Sequence, residues 1–313
     1  MRRRCAPVMY DCALFDIDGV LVDIRKSYNS AIKKTVEFML FRLSGRSFRG
    51  LVTDKVILRF RQTGGFNNDT DTSYAIILAM LANPQKNVVA GRRFLARVAE
   101  SADETGITSV EKFLASFGIE KWKRKLAYPA PVKDSVLARV FDELFYGPEL
   151  FRKQNSLEPK YSRGRPLIKN DRLVVSGQTM KRLHMMFCGK LAIVSGRSRV
   201  AADYSLGPVM KYFDLGASVF LEDEKREYAK PNIFAIKHAM EAMDAKTAAY
   251  AGDSAEDLLM ARRAEKELDV RIDFVGIYGY SVEPKKIAAG FRNEGVAAIA
   301  SINQLTRTLE ARS

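Results

Sequence analysis

Cys12-Ala-Leu-Phe-Asp-Ile-Asp-Gly-Val-Leu-Val22 is the stretch whose reading decides the fold. A short apolar run broken by two acids and a glycine reads as a buried strand ending in a turn. Similar apolar runs return only after Gly189, at 191–194, 248–251, 272–277 and 296–299, separated by segments of helical spacing. Strands alternating with helices imply a parallel sheet covered on both faces, so the expected class is α/β with a Rossmann-like core.

Between about Ser27 and Cys188 the periodicity is helical. Ile32, Val36 and Leu40 share one face, and Tyr74, Ile77, Leu78 and Leu81 another. Helix boundaries are expected at Gly45, at Gly64-Gly65, at Asn83-Pro84, and at Thr108 with Glu111, which have capping-box spacing. From about Trp122 to Gly177 scattered prolines, glycines and basic residues suggest loops rather than core. The expected organisation is therefore an α/β domain built from residues 1–23 and 186–313, interrupted after its first strand by a mostly helical insert, residues 24–185. Charge follows the same division. The insert holds 30 basic and 15 acidic residues, and the remainder 21 and 22, so the formal net charge of +14 belongs to the insert.

Composition excludes several classes. With 47% apolar and 28% charged residues in 313, the chain buries a core and is not disordered. No uncharged apolar run approaches the roughly 18 residues that span a bilayer. Arg2, Arg3 and Arg4 resemble the start of a secretory signal, but Asp11, Asp16 and Asp18 interrupt the apolar run that must follow, so a cytoplasmic location without membrane association is expected. Three cysteines, Cys5, Cys12 and Cys188, an odd number without a CxxC spacing, imply neither a disulfide framework nor a zinc site. Only His184 and His238 are present, neither in a recognisable motif, which leaves catalysis to carboxylates.

Asp16 and Asp18 stand two apart at a strand end, so their side chains project to one side, at the carboxyl edge where open α/β sheets bind ligands. Carboxylates this close repel unless a cation lies between them or one is protonated; an acidic turn is the alternative reading. A second cluster, Tyr250-Ala-Gly-Asp-Ser-Ala-Glu-Asp257, runs from a strand into a helix. It places Asp253 at the strand tip and Asp257 four residues on, on the same face, though Asp and Ser also cap helices. Between the clusters come Ser195-Gly196-Arg197, after a strand, and Lys230-Pro231, at a helix start.

In order, Asp-x-Asp-Gly, Ser-Gly, Lys-Pro and Gly-Asp-x-x-x-Asp resemble the four motifs of the haloacid dehalogenase superfamily, over residues 12–23 and 190–300. The inserted helices resemble the C1-type cap of subfamily IA. The resemblance implies that Asp16 is a nucleophile attacking phosphorus to give an aspartyl-phosphate. Asp18 would protonate the leaving oxygen and then take a proton from water. Mg2+ would be held by the carboxylates of Asp16 and Asp253 and the backbone carbonyl of Asp18. Ser195, Gly196 and Arg197 would bind phosphoryl oxygens, Lys230 would neutralise Asp16 and the phosphate, and Asp257 would orient Lys230 or a metal-bound water. Dehalogenases, phosphonatases and P-type ATPases of the superfamily lack the second aspartate. Asp18 therefore points to Mg2+-dependent hydrolysis of a small-molecule phosphomonoester, or to a phosphomutase. Val20 stands where many members have Thr, a change common among capped phosphatases.

Within the insert, Gly64-Gly-Phe-Asn-Asn-Asp-Thr-Asp71 stands out. Asn67 and Asn68 are expected either to contact substrate or to cap the following helix. The string resembles that of a group within subfamily IA, some relatives of which are associated with amino-acid or histidine biosynthesis, which makes histidinol phosphate a candidate substrate. The basic insert would attract a small phosphorylated anion. A nucleic-acid partner, bound or relieved of a terminal phosphate, is the less favoured alternative, because no RNA-binding motif or aromatic-interleaved basic run is expected to accompany the charge.

Overall fold

The computed structural model describes residues 9–66 and 68–312. The chain forms two units, Met1–Asp23 with Arg172–Ser313, and Ile24–Asp171.

The first unit is built on a parallel sheet of six strands, β1 (Cys12–Phe15), β4 (Leu191–Ser195), β5 (Val219–Phe220), β6 (Thr247–Gly252), β7 (Arg271–Ile277) and β8 (Ala297–Ile299), in the order β5-β4-β1-β6-β7-β8. Leu14 of β1 lies opposite Ala192 on one side and Tyr250 on the other. Every residue of β1 is buried, which is why it reads as a continuous apolar run rather than an alternating one. Alternate residues of neighbouring strands, Cys12 and Leu14, Ala192 and Val194, Ala248 and Tyr250, Ile272 and Phe274, join one core cluster with Ile236, Met240, Met260 and Ala264 from the helices Phe234–Ala242 and Ala255–Leu268. The chain builds outward from β1 to β4 and β5, then returns to add β6, β7 and β8 on the other side. That reversal makes β1 the switch point of the sheet, and the carboxyl ends of β1, β4 and β6 open together there.

A second, two-stranded ribbon lies where the chain leaves and re-enters this unit. In it β2 (Val22–Asp23) pairs antiparallel with β3 (Arg172–Leu173). Val174 N–H donates to the Leu21 carbonyl at 2.9 Å, and Arg172 pairs with Asp23 at 3.1 Å. The helix Gly177–Met186 consequently belongs to the first unit. Strands of two residues have no periodicity to read, and neither the ribbon nor β5 is foreseen by the sequence.

The second unit contains the helices Tyr28–Ser44, Asp54–Arg61, Asp69–Ala82, Val88–Glu100, Ile107–Leu114, Glu120–Leu126 and Val136–Asn155. Asp69–Ala82 is buried on all sides from Asp69 to Leu81. It is the central helix of the unit, not one with a single apolar face. Val136–Asn155 corrects the expectation of loops after Trp122, because Leu137, Val140, Phe141, Phe145, Tyr146 and Phe151 are all buried. Its Phe145 ring stacks on Tyr28 with centroids 4.0 Å apart. Gly147, at φ 67° and ψ 177°, and Pro148 interrupt it, and these two residues hide the helix from a reading by punctuation. The capping box expected at Thr108 is also absent: the helix begins at Ile107 after Gly106, with no side-chain cap. Glu111 instead accepts from Tyr74 Oη and pairs with Lys123 Nζ, each at 2.7 Å. A basic run with an aromatic does occur, contrary to expectation. Lys121 and Lys125 set their ammonium groups 4.8 and 5.1 Å from the Trp122 ring centroid. Among the described residues no helix is long and apolar enough to cross a membrane.

Candidate active site

Asp16 follows β1 directly, and its N–H donates to the Ala251 carbonyl at 3.0 Å, so the sheet ladder itself fixes where the carboxylate stands. The residue is buried, and its Oδ1 lies 3.1 Å from Lys230 Nζ, which lies 2.7 Å from Asp257 Oδ1. The Ser195 hydroxyl, buried at the end of β4, favours the charged form of Asp16. Burial pushes the Asp16 carboxyl above the usual carboxylate range, a rise that Lys230 opposes and Asp257 reinforces. Burial also works against the Lys230 ammonium, but the two carboxylates outweigh it and hold the lysine charged. For Asp257 burial is outweighed by Lys230 and by hydrogen bonds from Tyr250 and Ser254, which hold its carboxyl below the usual range.

Asp257 satisfies both readings of its position. It forms a reciprocal capping box with Ser254 at the start of the helix Ala255–Leu268. Its Oδ1 accepts from Tyr250 Oη at 2.6 Å, and its Oδ2 accepts from Ser254 Oγ at 2.7 Å and from the N–H groups of Ser254 and Asp253 at 3.2 and 3.3 Å. With both oxygens so engaged, Asp257 is a support for Lys230. The carboxylates of Asp16, Asp253 and Asp257 nevertheless converge, with ligand atoms within 4.8 Å of one another. Asp16 and Asp257 share the one ammonium of Lys230, and the converging groups of Asp16 and Asp253 are hard carboxylate oxygens. This chemistry fits a hard divalent cation.

Gly19 makes the convergence sterically feasible. Its φ is +70°, and a Cβ there would lie 1.9 Å from Asp253 Oδ2. Any side chain at position 19 would drive Asp253 away from the loop after β1.

Asp18 keeps a quarter of its side chain exposed. Arg197, expected among the phosphate-binding groups, has a different place for its side chain. The guanidinium is fully buried, donating from Nε to Asp18 Oδ1 and from Nη1 to Ser205 Oγ at 2.8 Å. Only its backbone N–H faces the Ser195 hydroxyl, at 3.4 Å. Gly196 is exposed beside it. Asn68 belongs to the helical unit and caps Asp69–Ala82, its side chain accepting from the N–H groups of Thr70 and Asp71. Asn67 lies outside the described residues.

The sequence therefore identifies Asp16, Ser195, Lys230, Asp253 and Asp257, which the fold brings together, and misses Tyr250, Gly19 and the partnership of Arg197 with Asp18. Tyr250 left a trace, as the one large residue in the strand Thr-Ala-Ala-Tyr-Ala-Gly. The Arg197 contact left none, because its partner is 179 residues away.

The family model of haloacid dehalogenase-like hydrolases matches residues 10–265. The chain belongs to this family. This hydrolase also shares its fold with solved structures. An X-ray structure from a structural-genomics consortium is 15% identical, with a TM-score of 0.63 over 96% of this chain and 98% of that one. The phosphatase Tt82 from Thermococcus thioreducens is 24% identical, with a TM-score of 0.55 over 90% of this chain and 99% of that one. Among curated proteins no relative matches.

Proposed function

We propose that this hydrolase is a phosphatase that cleaves small-molecule phosphomonoesters through an aspartyl-phosphate on Asp16. The observation that carries the reading is the buried Asp16 carboxylate, held against Lys230 and converging with Asp253 in a cluster that has more negative than positive charge. Crowding a further carboxylate against a buried one raises the cost of keeping both charged, a cost that a bound cation lowers. In the first step an Asp16 oxygen bonds to phosphorus, the bond from phosphorus to the leaving oxygen breaks, and Asp18 gives that oxygen a proton. In the second, water attacks phosphorus, Asp18 takes its proton, and the bond to Asp16 breaks to release inorganic phosphate. Lys230 holds Asp16 in place and offsets charge on the phosphate, while Ser195 and the backbone N–H groups of Gly196 and Arg197 receive phosphoryl oxygens. Mg2+ held by the carboxylates of Asp16 and Asp253 and the Asp18 carbonyl would supply charge neutralisation between nucleophile and phosphate.

Substrate class follows from charge. The helical unit, residues 24–171, carries 27 basic and 15 acidic residues, a field that favours a small phosphorylated anion. The test is inorganic phosphate release from sugar phosphates, phosphoglycolate, histidinol phosphate and nucleotides, with Mg2+ and after chelation. Release that stops on chelation and returns with Mg2+ is expected. Migration of phosphate within one substrate without release would make the protein a phosphomutase, and no turnover of any phosphomonoester would overturn the reading.

A further inference from the structure

Arg197 is the largest fully buried side chain among the described residues. Burying a guanidinium costs several kcal/mol in order of magnitude unless its donors are met, so the fold keeps it for what it contacts. Its contacts join three pieces of the chain. Nε donates to Asp18 in the loop after β1, Nη1 donates to Ser205 in the last turn of the helix Arg199–Leu206, and its own backbone follows Ser195 and Gly196. Asp18 is thus anchored from below by a buried cation while a quarter of its side chain stays exposed.

We propose that Arg197 is a positioning residue for Asp18, fixing the carboxyl group that gives and takes the proton, and that its side chain does not bind the phosphate. The inference rests on the phosphatase reading above. An acid that protonates a leaving oxygen and later deprotonates water must hold one orientation through both steps. Arginine suits this because it does not lose its own proton, whatever the state of its partner, and because two of its nitrogens bond in one plane. Lysine has no such fork. Since Arg197 acts through Asp18, its removal should matter in proportion to how much the leaving group needs a proton.

The experiment compares kcat/KM for an alkyl phosphomonoester, whose leaving alkoxide needs protonation, with that for p-nitrophenyl phosphate, whose leaving group does not. Arg197→Met is expected to lose on the order of 100-fold or more on the alkyl ester, and less than about 10-fold on the aryl ester. Arg197→Lys is expected to fold, to retain the buried charge and to fall between wild type and Arg197→Met in the ratio of the two losses, which keeps the test open if Arg197→Met does not fold. In an Asp18→Asn background neither substitution should change the ratio further. Equal losses on both esters, or a further change of ratio in the Asp18→Asn background, would overturn the proposal, since a packing or phosphate-binding role predicts those outcomes. A wild-type protein that cleaves neither ester would instead overturn the phosphatase reading, and this proposal with it.

Discussion

Each of the two units buries carboxylates, and they treat them in opposite ways. In the helical unit Glu143 is almost wholly buried, yet it accepts from the N–H groups of Lys160, Tyr161 and Ser162 and from Arg139 Nε. Burial is offset by those donors, and its carboxyl is held below the usual range. In the sheet unit the buried Asp16 and Asp257 share Lys230 beside the half-buried Asp253, and burial prevails at Asp16. Buried charge by itself marks neither unit as a site. What distinguishes the sheet unit's cluster from Glu143 is several carboxylates converging on one another around a single ammonium; at Glu143 the backbone N–H groups and Arg139 meet both oxygens.

The sharpest way to break this contrast is to neutralise Asp16. Asp16→Asn should lower phosphate release by about 10,000-fold or more, with a thermal midpoint no lower than that of the parent, because a repulsion with Asp257 goes with the charge. A folded Asp16→Asn protein with near-parental turnover would remove the nucleophile from the scheme. Lys230→Met should cost stability as well as activity, about 3–5 kcal/mol in denaturant unfolding, because it leaves Asp16 and Asp257 facing each other in a buried space. A loss confined to activity would show that Lys230 offsets the substrate's charge and not that of its neighbours.

Asp142, beside Glu143, sharpens the comparison through pH. Burial pushes its carboxyl up to about 7, with Glu143 adding to the rise and a hydrogen bond from Asn155 opposing it. The folded state therefore holds this proton more tightly than the unfolded chain, and stability falls as pH rises between about 4 and 7. Asp142→Asn keeps an oxygen for Asn155 and removes the titration. Melting curves across that window should lose this fall, and above pH 7 the variant should melt higher than the parent. An unchanged pH profile would mean that Asp142 does not titrate there. The smallest effect is expected at Asn68, where Asn68→Ala should remove about 1 kcal/mol by loss of the cap, while Asn68→Asp restores it. A change in substrate ranking with no change in melting would return Asn68 to the substrate contacts.

Much of the sheet unit was legible because β1, β4, β6 and β7 are strands of four to seven residues with buried, apolar sequences, long enough for periodicity to speak. The helical unit was read less well. Its central helix lacks the one-sided pattern that a half-buried helix shows, and Gly147-Pro148 breaks the pattern of the helix that packs beside Tyr28. Motif spacing pointed to Asp16 and Asp253, which directly follow β1 and β6, and to Asp257 in the first turn of the next helix, where local sequence and position in the fold coincide.

The sequence by itself determined which candidate groups stand at the motif positions, two aspartates after the first strand, a serine, a lysine and two more aspartates, because a side chain's chemistry and its place near a strand or helix end are local properties. Only the tertiary structure decided what each of those groups faces: that Lys230 bridges Asp16 and Asp257, that Tyr250 and Ser254 fill the oxygens of Asp257, that Gly19 admits Asp253, and that Arg197 turns to Asp18. Those contacts join residues that are up to 241 positions apart, as with Asp16 and Asp257 on either side of one ammonium. Charge, burial and hydrogen bonding act across space, so the order of strands in the sheet, which no local stretch encodes, sets the electrostatics of the site.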